Sequence, residues 1–220
     1  MEYEKKSLSQ NKAPLWERQH CLLDAEQKNC DQGFPPYQGV TMVSYEEVEW
    51  ALQLHGWSHD PIGNQTTTFA NFEGIILRGI SLDKITLKYA NFRNADLTGC
   101  RGHQVHFNRS CFVGAQLQTC IFTDSEFVLS DCSYADFSQV SMPSTRFLKA
   151  ALYGANLTLG DFREADFFGA DLSDTLVNET NFTKARLIRA NLTGMKGMHL
   201  ILDDAEYHMK DQSILLGNGD

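Results

Sequence analysis

The amino-acid sequence predicts an all-β solenoid, a fold built by stacking copies of one short unit. The first observation is a reading frame. From Ala70 to Gly194 the chain reads in fives without insertion or deletion, opening Ala70-Asn71-Phe72-Glu73-Gly74 and closing Ala190-Asn191-Leu192-Thr193-Gly194. Of its 25 unit centres, 11 are Phe and 10 are Leu, so the frame is set by bulky apolar side chains. The exceptions are Gly102, Cys132, Met142 and Val177. The second observation is another apolar or small position two residues before each centre, as in Ala70, Ile75, Ile80, Ile85, Ala90 and Ala95. Alternation of in, out, in over three residues is the pattern of a strand. The two remaining residues, often polar or Gly, turn the chain. Such a unit cannot bury its apolar side alone, so successive turns must stack around a column of side chains.

The flanks are read differently. Residues 1–12 are polar and aperiodic. Residues 13–28 are compatible with a short helix, Pro14 near its start and Leu15, Trp16, Leu22, Leu23 and Ala25 available for burial. The run from Asn29 to Gly39, with Gly33, Pro35, Pro36 and Gly39, reads as a loop. Ser44 followed by Glu47 is a capping box, and Gly56 supplies a stop, which predicts a helix carrying Tyr45, Val48, Leu52 and His55 on one face. Residues 1–69 are thus an N-terminal extension with one or two helices, residues 70–194 the repeat, and residues 195–220 a C-terminal cap or dimerisation segment.

The repeat, A-(N/D)-(L/F)-x-x, resembles the pentapeptide repeat family. Units that carry the likeness include Ala95-Asp96-Leu97, Ala135-Asp136-Phe137, Ala155-Asn156-Leu157, Ala165-Asp166-Phe167 and Ala170-Asp171-Leu172, and the pattern covers 125 of 220 residues. The resemblance implies a right-handed quadrilateral β-helix with four units per coil. On that basis 25 units make about six coils and a rod roughly 30 Å long. Residues 20 apart then lie above one another, which places Phe107, Phe127, Phe147 and Phe167 in one column and Phe72, Phe92 and Phe112 in another. Gly102 is expected to leave a gap between Leu82 and Phe122, with Met142-Pro143 as the next irregularity in that column.

The same spacing sorts the surface into four faces. The first is centred on Phe72, Phe92 and their successors at intervals of 20, the second on Leu77, the third on Leu82 and the fourth on Leu87. Counted face by face, charges total −3, −2, 0 and +4. The whole chain carries −9, yet 12 basic and 13 acidic residues leave the repeat body near neutral, so the acidity sits mainly in the flanks. On the fourth face Val128, Leu148, Phe168 and Ile188 each follow a centre, with Leu129 at their edge and Arg146 and Arg186 beside them. This predicts an outward apolar ladder, which marks a contact. It is either covered by the protein's own N-terminal helices, or it is the site of a homodimer or a protein partner.

Catalytic chemistry has no candidate residues: no Ser/His/Asp order with a supporting motif, no glycine-rich phosphate loop and no zinc spacing. No metal or cofactor is expected. His103 and His106 fall on different faces, and His55 and His59 near Asp60 read as structural. The six cysteines are scattered singly and read as reduced thiols, with Cys100 and Cys120 acting as small hydrophobes. No apolar run is long enough to span a bilayer, and Met1 to Lys6 is charged rather than signal-like, so no membrane association and a cytoplasmic location are expected. The aspartates before the centres are expected to be exposed and solvated.

The function read from these features is a non-enzymatic protein-interaction module, with no direct contact to nucleic acid. The family resemblance implies an alternative, because some members imitate duplex DNA and protect DNA gyrase or topoisomerase IV from quinolones or peptide toxins. Only Asp96, Asp131, Asp136, Asp171 and Asp174 are placed to imitate phosphates here. Their faces sum to −5, and the 69-residue lead and the lack of loop insertions depart from that subgroup.

Overall fold

The computed structural model describes residues 37–42, 44–54, 70–207 and 215–216. Its backbone repeats every five residues: a bridge residue before each centre, then a two-residue turn. Bridges join residues 20 apart in parallel, from Asn71↔Asn91 to Arg186↔Glu206, so four units make one coil. Two bridges lengthen into strands, β1 (Arg101–His103) and β2 (Ile121–Thr123), which pair in parallel. Near the C-terminus β3 (Lys196–Gly197) pairs in parallel with β4 (Leu215–Leu216).

Each corner is a tight turn closed by the amide three residues beyond the centre, as in Ala95 N to Phe92 O at 2.9 Å. The second turn residue is left-handed throughout, whether Gly, as at Gly154 with φ 64°, or not, as at Leu129 with φ 59°. A positive φ at that position is the mark of a type II turn. For residues with a Cβ the conformation costs about 1–2 kcal/mol each. The stacked backbone ladder offsets that cost, since each coil's amides reach the carbonyls of its neighbours, as in Phe147 N to Asp166 O at 2.8 Å.

The centres fill the bore, and the predicted columns are there. Phe107, Phe127, Phe147 and Phe167 follow one another at 4.9–5.0 Å between ring centroids. Phe72, Phe92 and Phe112 do so at 5.2 and 5.0 Å. Neighbouring columns meet edge to face, as between Phe107 and Phe112 at 88°. Rings packed this way satisfy their quadrupoles in both directions. Polar residues two before the centre are buried without loss, because their hydroxyls donate to carbonyls of the coil below: Ser110 Oγ to Leu87 O at 2.7 Å, Thr145 Oγ1 to Phe122 O at 2.8 Å. Cys100 and Cys120 do the same with their thiols, to Leu77 O and Leu97 O. They are therefore donors as well as small hydrophobes.

Two expectations change. Gly102 leaves no gap: a Cβ there would run into the Val105 Cγ2 methyl and lie 3.3 Å from the Phe122 ring, which already occupy the space. The end of the segment read as a loop also belongs to the solenoid. Tyr37 occupies a centre and lies 5.6 Å from Phe72, Gln38 and Gly39 turn, and Thr41 pairs with Ile76. Helix α1 (Tyr45–Leu54) follows directly, its Glu47 amide bound to Ser44 Oγ at 3.3 Å. Val48 and Ala51 of α1 are buried in the same core as Phe72. The expected helix at residues 13–28, the histidines His55 and His59, and the covering of the ladder by residues 1–36 lie outside the described residues.

Candidate docking face

Among the described residues no group of His, Cys, Asp and Glu is placed to hold a metal ion, so attention falls on what the faces display. The residues just before the centres explain the N/D preference of the repeat. Their side-chain oxygen accepts the amide two residues ahead: Asp96 from Thr98 at 3.1 Å, Asp131 from Ser133 at 3.1 Å, Asp136 from Ser138 at 2.9 Å and Asp171 from Ser173 at 3.1 Å. This is an Asx turn, and it opens each corner. The expectation that these aspartates are merely solvated is thus corrected. Asp96 is buried and holds Arg78 Nε at 2.6 Å, Asp136 and Asp171 are half-buried, and Asp131 is exposed. Asp174 stands apart as an exposed second turn residue with φ 56°.

The fourth face is built from three columns along the rod. The first, at the position before the centre, is His106, Glu126, Arg146, Asp166, Arg186 and Glu206. From Glu126 on it alternates in charge, and its members pair vertically: His106 Nδ1 to Glu126 at 2.9 Å, Arg146 to Glu126 at 2.8 Å, Arg186 to Asp166 at 3.4 Å and to Glu206 at 3.9 Å. Glu126 is held below the usual carboxylate range: burial pushes it up, but hydrogen bonds from Asn108 and His106 and the nearby Arg146 outweigh that. Arg146 and Arg186 are therefore each paired with a carboxylate.

The second column is the apolar ladder. Val128, Leu148, Phe168 and Ile188 do stand outside the bore on consecutive coils, and all four are half-buried rather than fully outward. The Arg186 guanidinium lies 4.5 Å from the Phe168 ring centroid. The third column forms the corner: Arg109, Leu129, Lys149, Gly169 and Arg189. Leu129 is 43% exposed, and Arg189 reaches back to 5.5 Å from the Phe168 ring. Arg109, Lys149 and Arg189 are exposed and make no ion pair among the described residues.

A family model for pentapeptide repeats matches in 8 copies, over residues 68–101, 87–124, 130–167 and 165–196, together more than half of the chain. The chain belongs to the pentapeptide repeat family. Among solved structures this pentapeptide repeat protein is similar to full-length QnrB1, a plasmid-mediated fluoroquinolone resistance protein. The identity is 17% over 63% of this chain and 73% of QnrB1, with a TM-score of 0.57. It is also similar to HetL, a pentapeptide repeat protein involved in heterocyst differentiation regulation from the cyanobacterium Nostoc sp. strain PCC 7120. There the identity is 17% over 81% of this chain and 99% of HetL, with a TM-score of 0.33. No relative matches among curated proteins. At 17% identity the likeness to QnrB1 speaks for the fold alone, which with the family match is the right-handed quadrilateral β-helix.

Two surface features of this pentapeptide repeat protein have no counterpart in the sequence reading. The first is glycine placement at the corner after the first face, where Gly74, Gly114, Gly154 and Gly194 alternate with Asn94, Tyr134 and Asp174. The larger side chain of one coil lies over the glycine of the next, so that a Cβ on Gly154 would meet the Tyr134 ring at 2.8 Å. The second is an exposed aromatic pair, Tyr134 and Tyr153, at 5.3 Å and 86°. The alternation of glycine with large residues at intervals of 20 was available in the sequence as a signal for both.

Proposed function

We propose that this pentapeptide repeat protein is a non-enzymatic docking rod, whose fourth face binds a protein partner or a second copy of itself. The observation that carries the reading is the continuity of that face. Four apolar rungs, Val128, Leu148, Phe168 and Ile188, adjoin Leu129 and the corner cations Arg109, Lys149 and Arg189, which make no ion pair among the described residues. A stripe of this kind is retained on a surface when something covers it. The stacked backbone makes it rigid, so little ordering is needed on binding. Phe168→Asp puts a charge in the middle of the stripe. It is expected to abolish partner pull-down or change the oligomeric state by sedimentation, and an unchanged result in both contradicts the reading.

A second reading follows from the fold shared with QnrB1, a fluoroquinolone resistance protein. In it the exposed carboxylates of the first two faces imitate phosphates toward DNA gyrase or topoisomerase IV. Its support is weaker, because Asp96, Asp131, Asp136 and Asp171 each serve their own turn and Asp96 is neutralised by Arg78. Inhibition of gyrase supercoiling, or its rescue from a quinolone, would favour it; no effect in either assay removes it.

A further inference from the structure

If the fourth face is the docking surface, its pitch specifies the shape of what docks there. Adjacent coils are ~4.8 Å apart, so the apolar rungs recur every ~4.8 Å and the cations Arg109, Lys149 and Arg189, on alternate coils, every ~10 Å. An α-helix laid along the rod shows one turn every 5.4 Å and repeats its face every seventh residue, ~10.5 Å. Its apolar stripe keeps step with the ladder, the mismatch growing to only ~2 Å over four rungs. A carboxylate at every seventh position meets each cation in turn. An extended strand repeats each face every ~6.6 Å and matches neither column.

Charge narrows the partner further. In the column beside the ladder Arg146 and Arg186 are each paired with a carboxylate, so the positive field there comes from the corner cations. They favour an anionic partner surface. Arg189 touches the Phe168 ring, so the apolar and basic columns form one continuous strip.

We infer that the fourth face takes an acidic amphipathic α-helix from a partner protein, a reading that rests on the docking function above. Its apolar stripe lies on Val128, Leu148, Phe168 and Ile188, and its carboxylates face Arg109, Lys149 and Arg189. The four coils from Arg109 to Arg189 span ~19 Å, which asks for a helix of about 15 residues, the length that carries carboxylates at i, i+7 and i+14.

The test uses the full chain and three fluorescent peptides of about 15 residues each. One is a stapled helix with Leu on one stripe and Glu at every seventh position beside it; one has the same composition in scrambled order; one has Lys for Glu. Fluorescence anisotropy is expected to show the acidic helix binding at least ~10-fold tighter than either control, and weakening as salt is raised. Lys149→Glu with Arg189→Glu should weaken it by ~10-fold or more, while Thr158→Asp on the opposite face leaves it unchanged. Equal binding of the helical and scrambled peptides, both lost with Phe168→Asp, overturns the helix while leaving the docking surface standing. Helix binding that survives Phe168→Asp overturns both. A dimer that Phe168→Asp dissociates makes the occupant a second copy and overturns the partner helix, and so does failure of the acidic helix to bind.

Discussion

The rings of Phe147 and Phe167 lie 4.9 Å apart and within 3° of parallel, one coil above the other. Phe147 also meets Phe137 and Phe162 edge to face, so it is fixed from the side as well as from above and below. Truncation removes contacts in every direction. Phe147→Ala is expected to destabilise the chain by about 3–5 kcal/mol in denaturant unfolding, and Phe147→Leu by under about 1.5 kcal/mol. Equal loss in the two variants would mean that ring stacking does not hold the bore together.

Gly154 tests how the corner column is filled. Gly79 and Gly154 share a left-handed backbone, φ 70° and 64°, but a Cβ at Gly79 meets open space while one at Gly154 meets the Tyr134 ring. Gly79→Ala should cost about 1–2 kcal/mol for the conformation alone. Gly154→Ala should cost more, because Tyr134 must also leave its seat. Urea midpoints that fall together for the two variants would refute the packing argument.

Acid should reveal the carboxylates that the coils hold. At Asp96 burial works to raise the pKa, but the hydrogen bonds from Thr98 and the Arg78 guanidinium prevail and the group titrates below its ordinary value. Glu126 behaves likewise. A carboxyl with a folded pKa below its unfolded one adds stability that is complete above the ordinary value near 4, and that is lost as pH falls through the folded value. Between about pH 4 and pH 2 the melting temperature should therefore drop more steeply for the parent chain than for Asp96→Asn with Glu126→Gln. Parallel profiles would show that neither carboxylate is stabilised by folding.

The thiols should divide by burial. Burial pushes Cys100 up to about 12 and also raises Cys120 and Cys132 well above the usual thiol range, so none of the three offers a thiolate near neutrality. Cys111 is half-buried on the outer surface, against Arg93. Maleimide labelling read by peptide mapping should mark Cys111 and spare Cys100, Cys120 and Cys132 until the chain is denatured. Early labelling of Cys132, a centre residue, would contradict the closed bore.

Much of the fold was legible because one residue of each unit carries the frame. Phe or Leu every fifth position, with a small residue two before it, survives substitutions anywhere else, and the Phe columns followed once the coil length was known. Tyr37 to Met42 was not legible, because this single unit pairs with Ile76 across 35 residues and so falls outside the spacing of 20. The fourth-face ladder was visible as Val128, Leu148, Phe168 and Ile188. A face total conveys only part of its charge environment. Glu126, Arg146, Asp166, Arg186 and Glu206 are each 20 apart, so the vertical pairing was written in the sequence; it leaves the total unchanged but ties Arg146 and Arg186 to carboxylates. Gly102 shows the reverse limit: that Val105 and Phe122 lean into its place depends on side-chain directions that no spacing conveys.

Leu129 and Leu159 are a matched pair for deciding whether the fourth face is where this rod makes contact. Both are second turn residues, with φ 59° and 60°, and they are 43% and 50% exposed on opposite faces. A photo-cross-linking amino acid placed at each position in turn, in the full chain in its native host, reads contact directly. The docking account predicts a discrete adduct, to a partner or to a second copy, from position 129 and none from position 159. Equal adducts from both positions, or an adduct from 159 alone, would contradict it.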